Sequence, residues 1–230
     1  MPWSGRTFII IRHGETDWNK IGRLQGQRDI PLNDTGRRQA RRNGFALAEY
    51  LAHIGRRPDE FTWYASPLAR TRETLQLVRT SMGLSPDRDP PEAAGLMEPE
   101  PGSDLSSIRH VSQTAPLPCH FDDRLKEFNF GDWEGEILND LKKKAPDQYR
   151  ARRQDKWNFQ PPGGESYEML MQRVLPWLEN TTGDLITVTH GGVVRVLWHL
   201  LEKHPKHSVT EQEVIQEKVY VFRDGTLMNV

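Results

Sequence analysis

Two histidines in this chain sit at the same kind of corner. His13 follows the apolar run FIII (8–11) and Arg12 and precedes Gly14, while His190 follows LITVT (185–189) and precedes Gly191 and Gly192. A glycine at such a corner lets a ligand come close to the backbone, which puts Gly191 among the candidate binding residues. Neutral imidazole attacks phosphorus directly when its second nitrogen is held by an acceptor that fixes the tautomer. A phosphate ester is anionic and repels a nucleophile, so the same chemistry needs cations around the equatorial oxygens. Arg12 and Arg70 carry forked donors of that shape. Each residue also has an ordinary reading: a histidine after a strand is commonly a hydrogen-bonded structural residue, and a helical arginine is commonly solvated. Two matched histidine corners are harder to ascribe to packing.

The elements around these residues alternate. FIII is short, β-branched and apolar throughout, which suits a strand buried on both faces of a parallel sheet. Asn33 is placed to cap a helix whose apolar positions Ala40, Phe45, Leu47, Ala48 and Leu51 continue to about Ile54. FTWYAS (61–66) reads as a second strand, followed by a helix with Pro67 near its first turn and Gly83 at its end. Further helices are expected over 136–144, over 166–180 and in VVRVLWHLL after His190, and KVYVF (218–222) is expected to be the last strand. Strands separated by helices imply right-handed crossovers. The expected fold is α/β, a three-layer α/β/α sandwich with a mostly parallel sheet, in which ligands bind beyond the carboxyl ends of strands. Arg12 with His13, Ser66 leading to Arg70, and His190 all lie at such ends.

Seven of the 16 prolines fall between 86 and 118, where no apolar period is sustained. This stretch is expected to be an irregular insertion in a single domain spanning 1–230, and its position suggests a lid or rim over the site. With 31 Lys+Arg against 32 Asp+Glu the formal charge is -1, so no global field draws the chain to nucleic acid or to an anionic membrane. Apolar content of 36% and a mean hydropathy of -0.72 are low for a buried core, yet the apolar residues fall in discrete blocks that a compact α/β fold can bury. The lone Cys119 cannot form an internal disulfide and suggests a reducing compartment. No apolar stretch approaches the ~20 residues needed to span a bilayer. A soluble cytoplasmic protein is expected, with a small phosphorylated substrate, no nucleic-acid or membrane partner, and an oligomeric state the sequence leaves open. His199, His204 and His207 lack a ligand-like companion set, so no metal is expected, and no G-x-x-x-x-G-K-[ST] phosphate loop is present. Arg37, Arg38, Arg41 and Arg42 form a basic cluster near a helix start, read mainly as a solvated face.

FIIIRHGETDWN with GRLQG resembles the opening signature of the histidine phosphatase superfamily, the phosphoglycerate mutase-like family. PLNDTGRRQA, SPLARTRETL, LKEFNFGDWEG, PPGGES and VTHGGVVR resemble its later segments, in family order, as far as about residue 195. The resemblance implies a phosphoglycerate mutase-like fold and a metal-independent enzyme without cofactor. It makes His13 the nucleophile of a phosphohistidine intermediate, makes His190 a hydrogen-bond donor to the transferring phosphoryl group, and puts Arg12 and Arg70 on the phosphate. It also assigns the general acid to Glu127, with Asp132 and Glu134 as neighbouring competitors, and places Asn19 and Gln25 near the phosphate or leaving group. Glu165 and Ser166 could line the mouth of the site or simply start a helix. Arg72 is read as structural, and Trp157 and Phe159 as possible shapers of specificity.

HGGVVR, GDWEG and PPGGES look like the phosphatase branch, where cofactor-dependent mutases generally carry asparagine at the position of Gly192. The expectation is therefore a phosphomonoester hydrolase of histidine acid type. Phosphoglycerate mutase-type phosphoryl transfer and an inactive phosphate-binding module are the alternatives.

Overall fold

The computed structural model describes residues 3–84 and 117–230. β1 (Phe8–Arg12) is followed by a one-turn helix α1 (Asp17–Lys20) and by the long α2 (Asp34–His53). Next come β2 (Thr62–Ala65), α3 (Ala69–Ser81), β3 (Cys119–Phe121), α4 (Leu138–Lys144), α5 (Pro146–Gln154) and α6 (Tyr167–Asn180). β4 (Leu185–Thr189), α7 (Gly191–Glu202), α8 (Lys206–Val209), β5 (Val219–Arg223) and β6 (Thr226–Asn229) complete the order.

The strands form one sheet in the order β3-β2-β4-β1-β5-β6. β1, β2, β3 and β4 run parallel, while β5 and β6 are antiparallel to their neighbours. The apolar run of β1 is buried from Phe8 to Ile11, as a central strand with both faces covered must be. Its pleat divides these side chains. Phe8 and Ile10 join a core cluster with Leu170, Trp177 and Val193 of α6 and α7. Ile9 and Ile11 join the opposite cluster with Leu47, Leu51, Leu75 and Val78 of α2 and α3. The sheet is thus the middle of three layers.

Register sets where the site falls. Arg12 pairs with Thr189, and Ala65 pairs with Val188. β1, β4 and β2 therefore end level, and the residues that follow them, His13, His190 and Ser66, share one edge. The backbone continues the ladder there, with His13 N–H donating to Thr189 O (2.9 Å) and Ser66 N–H to Val188 O (3.1 Å).

Several elements depart from the sequence expectation. β6 follows β5, so KVYVF is not the last strand, and β3 adds the opposite edge. α4 starts at Leu138 instead of 136, and α3 at Ala69, two residues after Pro67. Phe45 is 61% exposed and faces solvent, whereas Leu47 on the same helix is fully buried. Its neighbours Asn43 and Gly44 occupy the inner face instead. The proline-rich stretch expected at about 86–118 lies outside the described residues except for Leu117, which packs on the α2–α3 core, and Pro118. Among the described residues no helix is long and apolar enough to cross a membrane.

Two substitutions on α2 test this facing. Phe45→Lys should change unfolding free energy by no more than about 0.5 kcal/mol, while Leu47→Ala should cost about 2–5 kcal/mol. Chemical denaturation of both variants checks the pair.

Candidate active site

The two histidine corners meet. The rings of His13 and His190 have centroids 5.1 Å apart and are inclined at 62°, and both side chains are almost wholly buried. His13 Nδ1 lies 2.7 Å from Gly14 O. A carbonyl only accepts, so Nδ1 carries the proton and the lone pair is on Nε2. His190 Nε2 lies 2.8 Å from the buried Ser66 hydroxyl, and its Nδ1 is buried with no hydrogen-bond partner among the described residues. With Ser66 O–H donating to Nε2, the His190 Nδ1–H is left to serve an acceptor in the pocket.

Burial is the first cause holding His13 well below the ordinary histidine pKa of 6.5, followed by the positive charges of Arg70 and Arg12. Burial likewise leads for His190, followed by Arg70, His13 and Arg12. Both rings are therefore neutral at neutral pH, the form that an imidazole nucleophile requires.

Arg70, in the first turn of α3, is 1% exposed. Its Nη1 and Nη2 donate to Arg28 O (2.7 Å) and Gly26 O (2.8 Å), which aims the remaining edge of the fork inward. Desolvation lowers its pKa to about 10, so it remains cationic at neutral pH. Arg12 donates through Nη1 to Val214 O (2.5 Å). The Nε atoms of Arg12 and Arg70 are both buried and, like His190 Nδ1, have no hydrogen-bond partner among the described residues. Three donors thus remain unspent beside the His13 lone pair, an arrangement that suits the oxygens of a phosphoryl group.

Glu127 supplies the nearby carboxylate, and its charge acts on both Arg12 and Arg70. Both of its oxygens accept from Gly192 N–H (3.1 Å each) at the start of α7, and Oε1 also accepts from Phe128 N–H (3.1 Å). Gly192 is needed for this approach: a β-carbon there would lie 2.2 Å from Glu127 Oε1 and 2.6 Å from Phe128 Cδ1. The two competing carboxylates are placed differently, although the charge of Glu134 also acts on Arg70. Asp132 is exposed. Glu134 accepts from Gln27 N–H and Phe130 N–H and faces Arg28.

The outer candidates divide. Gln25 is buried, and its Oε1 accepts from the Thr16 hydroxyl (2.9 Å) one residue before the Gly26 carbonyl that binds Arg70. Asn19 forms the capping box of α1 with Thr16 and accepts from Gln216. Gly191 lies over Arg12, where an added β-carbon would be 3.5 Å from Nε, an ordinary contact. Gly14 has a different reason from the one expected. A β-carbon at that position would collide with the Gly36 backbone, 2.3 Å from its oxygen, so Gly14 allows the site loop to dock on the first turn of α2. Glu165 pairs with Arg173 and accepts from Asn129 N–H, and Ser166 caps α6. Arg72 donates to Pro67 O and stacks on Phe121.

Trp157 is buried against Tyr167 and His199, and Phe159 packs on Trp133. Within the basic cluster of α2, Arg37 pairs with Glu73 and Asp34, and Arg42 with Glu217. Sequence reasoning missed the contact of Ser66 with His190 and that of Thr74, whose hydroxyl accepts from Gly14 N–H (3.1 Å). Ser66 was visible only as the residue ending β2, and Thr74 as one helical threonine among several. Among the described residues no group of three or more His, Cys, Asp or Glu is arranged to hold a metal ion.

A family model described as the histidine phosphatase superfamily (branch 1) matches residues 8–98 and 105–223. The chain belongs to this superfamily. It is 28% identical over 228 residues to phosphoglycerate mutase-like protein 4 of Arabidopsis thaliana, covering 94% of this chain and 78% of that protein. It is 28% identical over 197 residues to a metal-independent phosphoserine phosphatase of the same plant, covering 83% and 66%. Among solved structures, YhfR of Bacillus stearothermophilus superposes with a TM-score of 0.68 at 24% identity, covering 98% of this chain and 95% of that one. The histidine phosphatase fold therefore runs through the described chain.

The depressed histidine pKa values link stability to pH in this superfamily member. The unfolded chain takes up a proton on each histidine near pH 6.5, whereas the folded pocket resists it. The stabilising contribution is present above pH 6.5 and is lost as pH falls below it. Between pH 7.5 and 5.5 the wild-type protein should lose more stability than a His13→Asn variant, as read by urea denaturation at the two pH values.

Proposed function

We propose that this protein is a phosphomonoester hydrolase that acts on a small phosphorylated metabolite through a phosphohistidine intermediate. The observation that carries the reading is the convergence of a neutral His13 with three unspent buried donors, on Arg12, Arg70 and His190. In the first step His13 Nε2 attacks phosphorus, and the bond to the leaving oxygen breaks. The two guanidinium groups and His190 Nδ1–H hold the charge that develops on the equatorial oxygens. Glu127 gives a proton to the leaving alkoxide, since a free alkoxide departs poorly. In the second step Glu127 takes a proton from water, the water attacks phosphorus, and the N–P bond breaks to release phosphate and neutral His13. Asn19 and Gln25 would border the leaving group from the loop that also holds Arg70. Ser66 would position His190.

The relatives named above include a phosphoserine phosphatase and a mutase-like protein, so hydrolysis and transfer back to an acceptor both belong to the range. Gly192 favours hydrolysis. The asparagine expected there in mutases would displace the carboxylate that this chain seats on the Gly192 N–H. In this reading the chain works as one histidine phosphatase domain in the cytoplasm, a compartment suited to a chain with a single cysteine, with 86–118 as an insertion.

A screen of phosphorylated metabolites, with His13→Ala as the control, tests the reading. Phosphate should be released by the wild-type protein alone, through an acid-labile protein-bound phosphate. Turnover that persists in His13→Ala would exclude the covalent route. Glu127→Gln should lower kcat for alkyl phosphates by about 10²–10⁴-fold and affect an aryl phosphate with a good leaving group far less.

Gly192→Asn should show the same leaving-group selectivity at smaller size, about tenfold or more on alkyl phosphates. Equal loss on both substrate types would place the acid elsewhere.

A further inference from the structure

We propose that the cavity between α5 and α8, outside the catalytic pocket, is a second anion site that binds a small molecule carrying two phosphate-like groups. The cavity measures 750 Å³, and its charged lining includes Arg152, Arg153, Lys156 and Lys206 against Asp155 and Glu211. Most of these groups are already engaged. Lys206 pairs with Glu168 (2.6 Å), and Lys156 donates to Thr210 O (2.6 Å) and meets Glu211 at 3.3 Å. Asp155 accepts from the backbone and side-chain nitrogens of Asn158 (3.0 and 2.8 Å) and so is turned to its own loop. Arg152 and Arg153 make no hydrogen bond or ion pair among the described residues.

The two arginines are not equivalent. Arg153 is exposed and stays hydrated. Arg152 is half-buried, and its pKa is lowered first by that burial, a shift that Tyr167, Glu211 and Tyr149 offset only in part and to which repulsion from Arg195 adds. A partly desolvated guanidinium with no hydrogen-bond acceptor carries a cost, which an anionic group seated between Arg152 and Lys156 relieves. Adjacent residues of a helix point in directions about 100° apart, so one phosphate cannot be held by both forks. Two anionic groups on one small molecule can be. A diphosphate and a phosphorylated acid share this chemistry.

Titration calorimetry of the full chain with methylenebisphosphonate, a non-hydrolysable probe, at ~0.15 M salt tests the site. Two binding events are expected in the wild-type protein. Arg152→Ala/Arg153→Ala should abolish one and leave the other intact, along with turnover of an aryl phosphate. Arg70→Ala should do the reverse, keeping the event at α5. If the double variant fails to fold, Arg153→Glu, an exposed charge reversal, should weaken the outer event about tenfold or more.

A double variant that titrates like the wild type would overturn the proposal. So would a single wild-type event that disappears in Arg70→Ala, which would mean that the probe enters the catalytic pocket alone. Failure of the catalytic reading shows in the Arg70 arm, and failure of this one in the α5 arm.

Discussion

Charge burial without a matching carboxylate governs the strand-end pocket. Arg70 is almost fully removed from water, and the Nε atoms of Arg12 and Arg70 reach no acceptor among the described residues. Burying a guanidinium costs several kcal/mol unless its donors are met. The protein meets only part of this demand, and it does so with neutral groups, the carbonyls of Gly26, Arg28 and Val214. Glu127, whose charge acts on both arginines, is turned onto the Gly192 N–H instead of closing an ion pair. The pocket therefore keeps a positive field and a set of aimed donors, while burial first and that field second keep both imidazoles unprotonated. One electrostatic arrangement thus prepares an anion's seat and a nucleophile together.

The sheet makes that arrangement rigid. Three parallel strands that end level bring His13, Ser66 and His190 to one edge, and α7 begins at once after His190. The helix N-terminus adds its partial positive charge and supplies the N–H that seats Glu127. The contacts around it are tight enough to dictate residue type. Gly14 is pressed on the first turn of α2, and Gly192 on the Glu127 carboxylate. Groups positioned in this way need little reorganisation when charge develops in a transition state.

What could be read from residues alone follows from which interactions leave a local trace. FIII and LITVT were legible because a strand buried on both faces must be apolar throughout, and the two His-Gly corners because residue type and position after a strand coincide. β3 and β6 left little trace, since each lies at a sheet edge with most of its residues half-buried or exposed. Phe45 shows the opposite failure, an apolar side chain in the helical pattern that faces water while Asn43 is buried. Asn43 donates to Gln216 O, a partner 173 positions away that no periodicity reveals. The hold of Ser66 on His190 and of carbonyls on the arginines is similarly non-local, and backbone acceptors carry no residue signature at all.

The segment from Thr210 to Val214 shows how far this non-locality reaches. Its carbonyls at 210, 212 and 214 accept from Lys156, Arg195 and Arg12. The backbone here is a turn at 210–211 that opens into an irregular stretch, and three cations from three different parts of the fold donate to it. Arg12 neighbours His13 in sequence, yet its guanidinium is oriented by a carbonyl 202 positions away. The unspent Nε edge of Arg12 is consequently only as well placed as this segment. Arg195 holds the middle carbonyl and also reaches Tyr167 and Gly191, so it ties the segment to the start of α7. One short segment thus lines the outer basic cavity at Thr210 and orients Arg12 of the strand-end pocket at Val214.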